Sequence, residues 1–323
     1  MTIDDSIDTT IDAFLAHRRS IGRKYDSEGR ELALLRAFAR LRGVGGLGQL
    51  DSGLLEDFLA SRPRSRPRSF NHLLGAVRVF LDWAVTQELL AASPLQARPR
   101  RGGADRLPFI FDPTQARRLL AAAAALPDTP RIQARGQTYR GIFALCYGLG
   151  LRAGEACGLR LGDVDAGRGL LTVHGGKFGK DRLVPHGPRM GQLLAEQVER
   201  RRAGPAPATD AAPLFSFDGN TTVHPGTASQ TFHHLVASLG LVVPAGVSPP
   251  CLHSLRHSFA VGCLLRWYRE GLDPAERLHH LSTFMGHVDP VSTAVYLRVT
   301  PALLEQANQR FEAFAAAAWE ATR

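Results

Sequence analysis

Four side chains in the last quarter of this chain have the types and the spacing to work on an anion. They stand as His253-Ser-Leu-Arg256-His257, then Gly286-His287, then Tyr296 nine residues further on. The three-residue step from His253 to Arg256 puts imidazole and guanidinium on one face of a helical turn. Gly286-His287 follows the apolar run Leu281 to Met285 and reads as a helix end, with the imidazole projected from the cap. Pro290 suits the first turn of a second short helix, which carries Tyr296 further along. Two histidines, an arginine and a tyrosine can then converge on one anionic group. A phenol has a free pKa near ~10, so a nucleophilic tyrosine needs cations around the atom it attacks. Taken singly, His253 and His287 are ordinary core or cap histidines and Tyr296 is packing. The four in this order argue for a site.

Two further stretches carry matching chemistry. Gly148, Gly150 and Gly154 bracket Arg152 and bring backbone close to it, and Glu155 stands three residues on. A carboxylate there can hold the guanidinium through its spare donors. The plainer reading is a helix-surface ion pair worth little. Residues 169–185 read as a β-hairpin whose tip is Lys177-Phe-Gly-Lys180-Asp-Arg182. The chain has 36 arginines but three lysines (Lys24, Lys177 and Lys180), and two of the three sit on this tip. Arginine keeps its proton, whereas a lysine ammonium can be tuned to release one. Lys177, which opens the tip, is the better candidate for a general acid, with chance or turn preference as the alternative.

The elements that must position these residues follow from apolar spacing. At 323 residues and 44% hydrophobic, the chain is long enough for two domains with cores. Helical periodicity covers 7–22 and 27–42, then a third helix at Leu54 to Leu59 and a fourth through Leu73, Val77, Phe80 and Leu81. We take residues 1–98 as a helical domain. Arg62, Arg64, Arg66 and Arg68 alternate with Pro and Ser before its fourth helix, whose first amides also favour phosphate. The run is either a DNA grip or a solvated loop. Arg98, Arg100 and Arg101 introduce a basic linker at 99–108, and residues 109–323 form the second domain. That domain is expected to hold helices from Asp112, over 135–149, over 190–202 and over 227–239, the hairpin, a short strand at Leu214 to Phe217, and a last helix at 301–319. The fold class is mostly α with a small β-sheet.

The net charge is +9 and the pI about 10.0. Its distribution is uneven: −2 over residues 1–60, +6 over 61–108 and +5 over the remainder. A basic middle stretch suits a duplex. The apolar runs are too short for a bilayer, and the acidic start Met1-Thr-Ile-Asp-Asp is not that of a signal peptide. Cys146, Cys157, Cys251 and Cys263 have no Cys-x-x-Cys spacing, so neither a zinc knot nor a disulfide framework is indicated and a reduced setting fits.

Gly-Leu-Arg152-x-x-Glu155, the lysine hairpin, His253-x-Leu-Arg256-His257, Gly286-His287 and Tyr296 together resemble the tyrosine recombinases, the phage-integrase family. The wording from Leu281 to Tyr296 is similar to members from transposons and other mobile elements. Trp267 to His280 is a departure, about two helical turns longer than the family pattern. The resemblance implies a helical core-binding domain joined to an integrase-like catalytic domain. It implies site-specific cleavage and rejoining of double-stranded DNA through a 3′-phosphotyrosyl link, with no metal, cofactor or ATP. Arg152 and Arg256 would grip the phosphate and Tyr296 attack it. Lys177 would protonate the leaving oxygen, with His253 and His287 as hydrogen-bonding partners and Glu155 and His257 in support. Arg62, Arg64, Arg66, Arg68, Arg98, Arg100, Arg101, Lys180 and Arg182 would touch DNA. The partners implied are DNA and other protomers, a tetramer on DNA with or without partner recombinases; the apolar stripe of the 301–319 helix either covers the protein's own core or docks on a neighbour. The setting implied is the cytoplasm, at the nucleoid. Three other readings stand beside this one: a type IB topoisomerase, a silent DNA-binding regulator, and a metal hydrolase built on His253, His257, His279, His280 and His287.

Overall fold

Short polar caps start the helices of the first unit. The Ser6 hydroxyl accepts from the Thr9 amide and opens α1 (Ile7–Ser20), which is followed by α2 (Asp26–Leu41). Asp51 caps α3 (Ser52–Ala60), and Pro67 occupies the first turn of α4 (Pro67–Thr86), where its missing amide costs nothing. Their apolar stripes meet in a core that includes Phe14, Leu32, Leu35, Phe58 and Phe80. The computed structural model describes residues 6–103, 106–130, 132–175, 181–286, 296 and 305. The chain divides into two compact units, residues 1–105 and 106–323. Arg100 is fastened to the first unit: it exchanges two 2.8 Å hydrogen bonds with Asn71, and its guanidinium lies 3.9 Å from the Phe70 ring centre.

The second unit is built around a helix that is buried along most of its length. This is α6 (Arg135–Gly148), and it packs against α5 (Pro113–Ala124) and α10 (Leu252–Arg269). Between α6 and α10 in sequence come α7 (Ala153–Cys157), a 3-10 turn (Leu161–Asp163), three strands, α8 (Pro188–Ala203) and α9 (Pro225–Ser238). The strands β1 (Val164–Asp165), β2 (Leu170–Val173) and β3 (Arg182–Pro185) form an antiparallel sheet in that order. Alternation along β2 buries Leu171 and Val173 under the helices together with Val184 of β3.

The structure corrects the sequence reading at Leu214 to Phe217, which is not a strand. The isolated bridge nearby, Arg160 to Pro213, stops one residue before it, and Leu214 and Phe215 are both fully buried. Two adjacent buried residues fit a segment that crosses the core, and the Phe215 ring indeed lies against Gly141 of α6. Strand β1 has no counterpart in the sequence reading. The extra length at Trp267 to His280 is taken up by the end of α10, a turn at Gly271 with φ +76°, and the start of α11 (Pro274–Met285), capped by Asp273. The 301–319 helix lies outside the described residues apart from Glu305, which is helical. Among the described residues no helix is long and apolar enough to cross a membrane.

Candidate active site

The last two carbonyls of α11 and that of its C-cap, Gly286, organise the site. A helix end leaves its final carbonyls without intrahelical partners and carries partial negative charge. Here each receives a different arginine. Arg182 Nε donates to Phe284 O at 3.0 Å, Arg256 Nη2 to Met285 O at 2.8 Å, and Arg152 Nη2 to Gly286 O at 3.0 Å. Gly286 ends the helix in the left-handed conformation, φ +67°. A Cβ there would also sit 2.9 Å from Arg182 Nη1, so glycine is required twice over.

Glu155 ties the same arginines together from the other side. Arg152 is the N-cap of α7, and Glu155, three residues on, accepts its amide at 2.9 Å and its Nη1 at 2.7 Å. Arg182 adds a two-pronged contact to the same carboxylate at 3.0 and 2.8 Å. Arg256 Nη1 lies 4.0 Å from Glu155 and hydrogen-bonds the Gly150 carbonyl. Burial works against charge on Glu155, but the bonds from Arg182 and Arg152 prevail and hold its carboxyl at about 2. Arg256 is 1% exposed. Burial, then repulsion from Arg152, lowers it to about 10, which still leaves it charged at neutral pH. Three guanidiniums around one carboxylate leave a surplus of positive charge, and Arg256 Nε has no hydrogen-bond partner among the described residues.

Tyr296 is buried at this surplus. Its hydroxyl and His257 Nδ1 share a 2.7 Å hydrogen bond. Burial raises the phenol above its ordinary pKa, while Arg256 and Arg152 pull it back. The His253 ring meets His257 edge-on, centres 4.6 Å apart. His253 is exposed at the rim of the site, yet desolvation by its packed surroundings, then the charges of Arg256 and Arg152, lowers its pKa to about 4.

The structure thus brings together Arg152, Glu155, His253, Arg256, His257 and Tyr296. Lys177, Lys180 and His287 lie outside the described residues. Arg182, expected from sequence to touch DNA, is turned inward: three of its donors are held by Glu155 and Phe284 and its side chain is 12% exposed. The sequence reading missed this, although the hairpin register carried a signal. Arg182 pairs with Val173, which is buried, and directly paired residues share a sheet face. Among the loop arginines, Arg64 is held by Glu31 at 2.7 Å, while Arg66, Arg68, Arg98, Arg100 and Arg101 are exposed. Arg62, Arg64 and Arg66 line a hollow of about 500 Å³. For a metal site, no three His, Cys, Asp or Glu side chains gather suitably among the described residues.

Comparison with known proteins accords with this geometry. The phage integrase family model matches residues 110–302. The integrase/recombinase-type protein y4rB of Sinorhizobium fredii is 36% identical over 259 residues, 78% of this chain and 81% of its own. Tyrosine recombinase XerC of Xanthomonas campestris is 30% identical over 305 residues, 90% of this chain and 84% of its own. The integrase of transposon Tn1549, solved with a circular intermediate DNA, shares the fold, with a TM-score of 0.65 at 16% identity over 96% of this chain and 100% of that one. The chain belongs to the phage integrase family and is a tyrosine-type site-specific recombinase.

Proposed function

We propose that this recombinase cuts one DNA strand by attack of the Tyr296 hydroxyl on a backbone phosphorus. The observation that carries the reading is Tyr296 itself, buried beside Arg256 and Arg152 with its hydroxyl bonded to His257. The Tyr296 Oη–P bond forms and the P–O5′ bond breaks. The phenol proton passes to His257, and the departing oxygen takes its proton from Lys177. Arg152 and Arg256 stabilise the charge that builds on the non-bridging oxygens, from positions fixed before substrate arrives. Glu155 and Arg182 hold those positions, and His253 and His287 hydrogen-bond the phosphate. The phosphotyrosyl link keeps the bond energy, so a 5′-hydroxyl from a partner strand reverses the step without ATP or metal. Exchange needs four strands, so protomers assemble on duplex DNA as a tetramer, with or without partner recombinases. The 301–319 helix is the docking element, and Arg62, Arg64, Arg66, Arg68, Arg98, Arg100, Arg101 and Lys180 form the DNA grip. The helical first unit serves as the core-binding domain, at the nucleoid in the cytoplasm.

The test is covalent capture. Cells carrying the gene with its flanking DNA are denatured, and DNA that stays on the protein is sequenced, with Tyr296→Phe as control. We expect DNA ending at one defined position from the wild type and none from the variant. Equal recovery from both, or none from either, would sink Tyr296 as the nucleophile.

A further inference from the structure

The mouth of the β2–β3 hairpin is closed by a contact that the site above does not use. His174 directly follows β2 and Asp181 directly precedes β3. His174 Nδ1 lies 2.7 Å from Asp181 Oδ2, and Nε2 lies 3.0 Å from Asp163 Oδ1, at the end of the 3-10 turn. Asp181 Oδ1 also accepts the Gly175 amide at 2.9 Å, with Gly175 in the left-handed region at φ +60°. Asp163 is fixed in turn, because its other oxygen accepts the Arg160 amide at 2.8 Å. The ring is thus held from both sides, by the opposite arm of the hairpin and by the turn before the sheet. Residues 175–180, with both hairpin lysines, are the stretch of chain that this contact encloses.

A carboxylate only accepts hydrogen bonds, so an imidazole with a carboxylate at each nitrogen must donate from both. That is the imidazolium. Asp181, then Asp163, raises the His174 pKa above its ordinary value, and these are the charged groups that face it among the described residues. Losing one proton turns one of the two bonds into a contact between lone pairs.

We propose that His174 is a positioning residue that, as an imidazolium joining Asp163 to Asp181, fixes the mouth of the lysine loop so that the leaving oxygen is protonated in step with its departure. This rests on the reading of Lys177 as the general acid. The sign of its pH dependence follows from the raised pKa. The contact is complete below the ordinary histidine pKa near ~6.5 and is lost as pH rises through the higher, folded value.

The test uses the full chain and the duplex recovered by covalent capture, made once with an ordinary 5′-oxygen at the scissile phosphate and once with a 5′-bridging sulfur. A thiol has a pKa near ~8.5, so the sulfur leaves without a proton. Lys177→Ala should slow cleavage of the oxygen duplex by about 10²-fold or more and recover on sulfur. His174→Ala should slow the oxygen duplex about tenfold, a part of the range open to general acid catalysis, and also recover on sulfur with DNA affinity unchanged. The wild type should slow as pH rises through the His174 pKa, and His174→Ala should lose that step while keeping any later fall from Lys177. Asp181→Asn, which keeps size and removes one anion, should give the same pattern more weakly and guards against a folding defect in the alanine variant. Equal slowing of His174→Ala on both duplexes, or no slowing, would overturn the inference while leaving Lys177 in place. Failure of Lys177→Ala to recover on sulfur would instead remove the general acid, and the inference with it.

Discussion

Two groups of arginines in this molecule have the same composition and opposite physics. In the loop before α4, Arg66 and Arg68 stand exposed, and Arg64 has one carboxylate partner in Glu31. In the second unit Arg152, Arg182 and Arg256 share Glu155 and divide the carbonyls at the end of α11 among them. Removing a guanidinium from water is costly, and main-chain carbonyls and a carboxylate offset that cost only when the geometry is fixed. Once fixed, such a donor needs no reorganisation when charge appears on a phosphate. As the proposed grip, the exposed loop would gain by a different route, the release of counterions from DNA, which asks little of geometry. Net charge counts both groups alike. Burial and hydrogen bonding separate the proposed catalytic arrangement from the proposed grip.

The sharpest way to break this contrast is Arg256→Lys. Lysine keeps the charge but has no planar fork to reach both the Gly150 and Met285 carbonyls. Single-turnover formation of the covalent complex should fall by about 10²-fold or more, with DNA affinity changed by a few-fold at most. A loss of cleavage that merely tracks a loss of affinity would make the buried arginine one more phosphate contact.

Glu155→Gln should come next in size. The carboxyl is held at about 2 against an ordinary 4.5, chiefly by Arg182 and Arg152 against the penalty of burial. A depressed pKa means that the carboxylate's contribution, at most roughly 3 kcal/mol, is complete above pH ~4.5 and is lost as pH falls toward 2. Urea unfolding between pH 6 and pH 3 should therefore show a weaker acid dependence in the variant. Cleavage should fall by about tenfold or more, because Arg152 and Arg182 lose the anion that aligns them. An unchanged acid slope would show that Glu155 does not hold the cluster.

How much of this is legible in the sequence depends on whether the cause leaves a mark in residue type. Ser6, Asp51, Pro67 and Asp112 announce their helices because capping depends on side-chain chemistry. The grouping of Arg152 with Glu155 and of His253 with Arg256 is readable for the same reason, since each pair sits within one turn of helix. The inward placement of Arg182 is readable only in part: the hairpin register turns it to the buried face, but its acceptor on α11 is a backbone carbonyl that any residue could supply. Leu214 to Phe217 misleads because four mostly apolar residues look alike as a strand and as a core-crossing segment. His174 gave no signal either, since Asp163 and Asp181 meet it only after the sheet has folded.

The smallest effect should come from Arg66→Ala with Arg68→Ala, and it tests the other half of the contrast. Both side chains are exposed, and neither holds a carboxylate among the described residues, so stability should move by less than about 0.5 kcal/mol. Each phosphate contact that is lost lowers the slope of log affinity against log salt by about 0.9 for duplex DNA. Filter binding over a salt series should therefore show a shallower line and weaker binding at low salt, while the rate of covalent complex formation at saturating DNA stays as in the wild type. A rate that falls at saturation would mean that the loop shapes the bound DNA at the scissile phosphate. The division between a grip set by charge and a site set by geometry would then no longer hold.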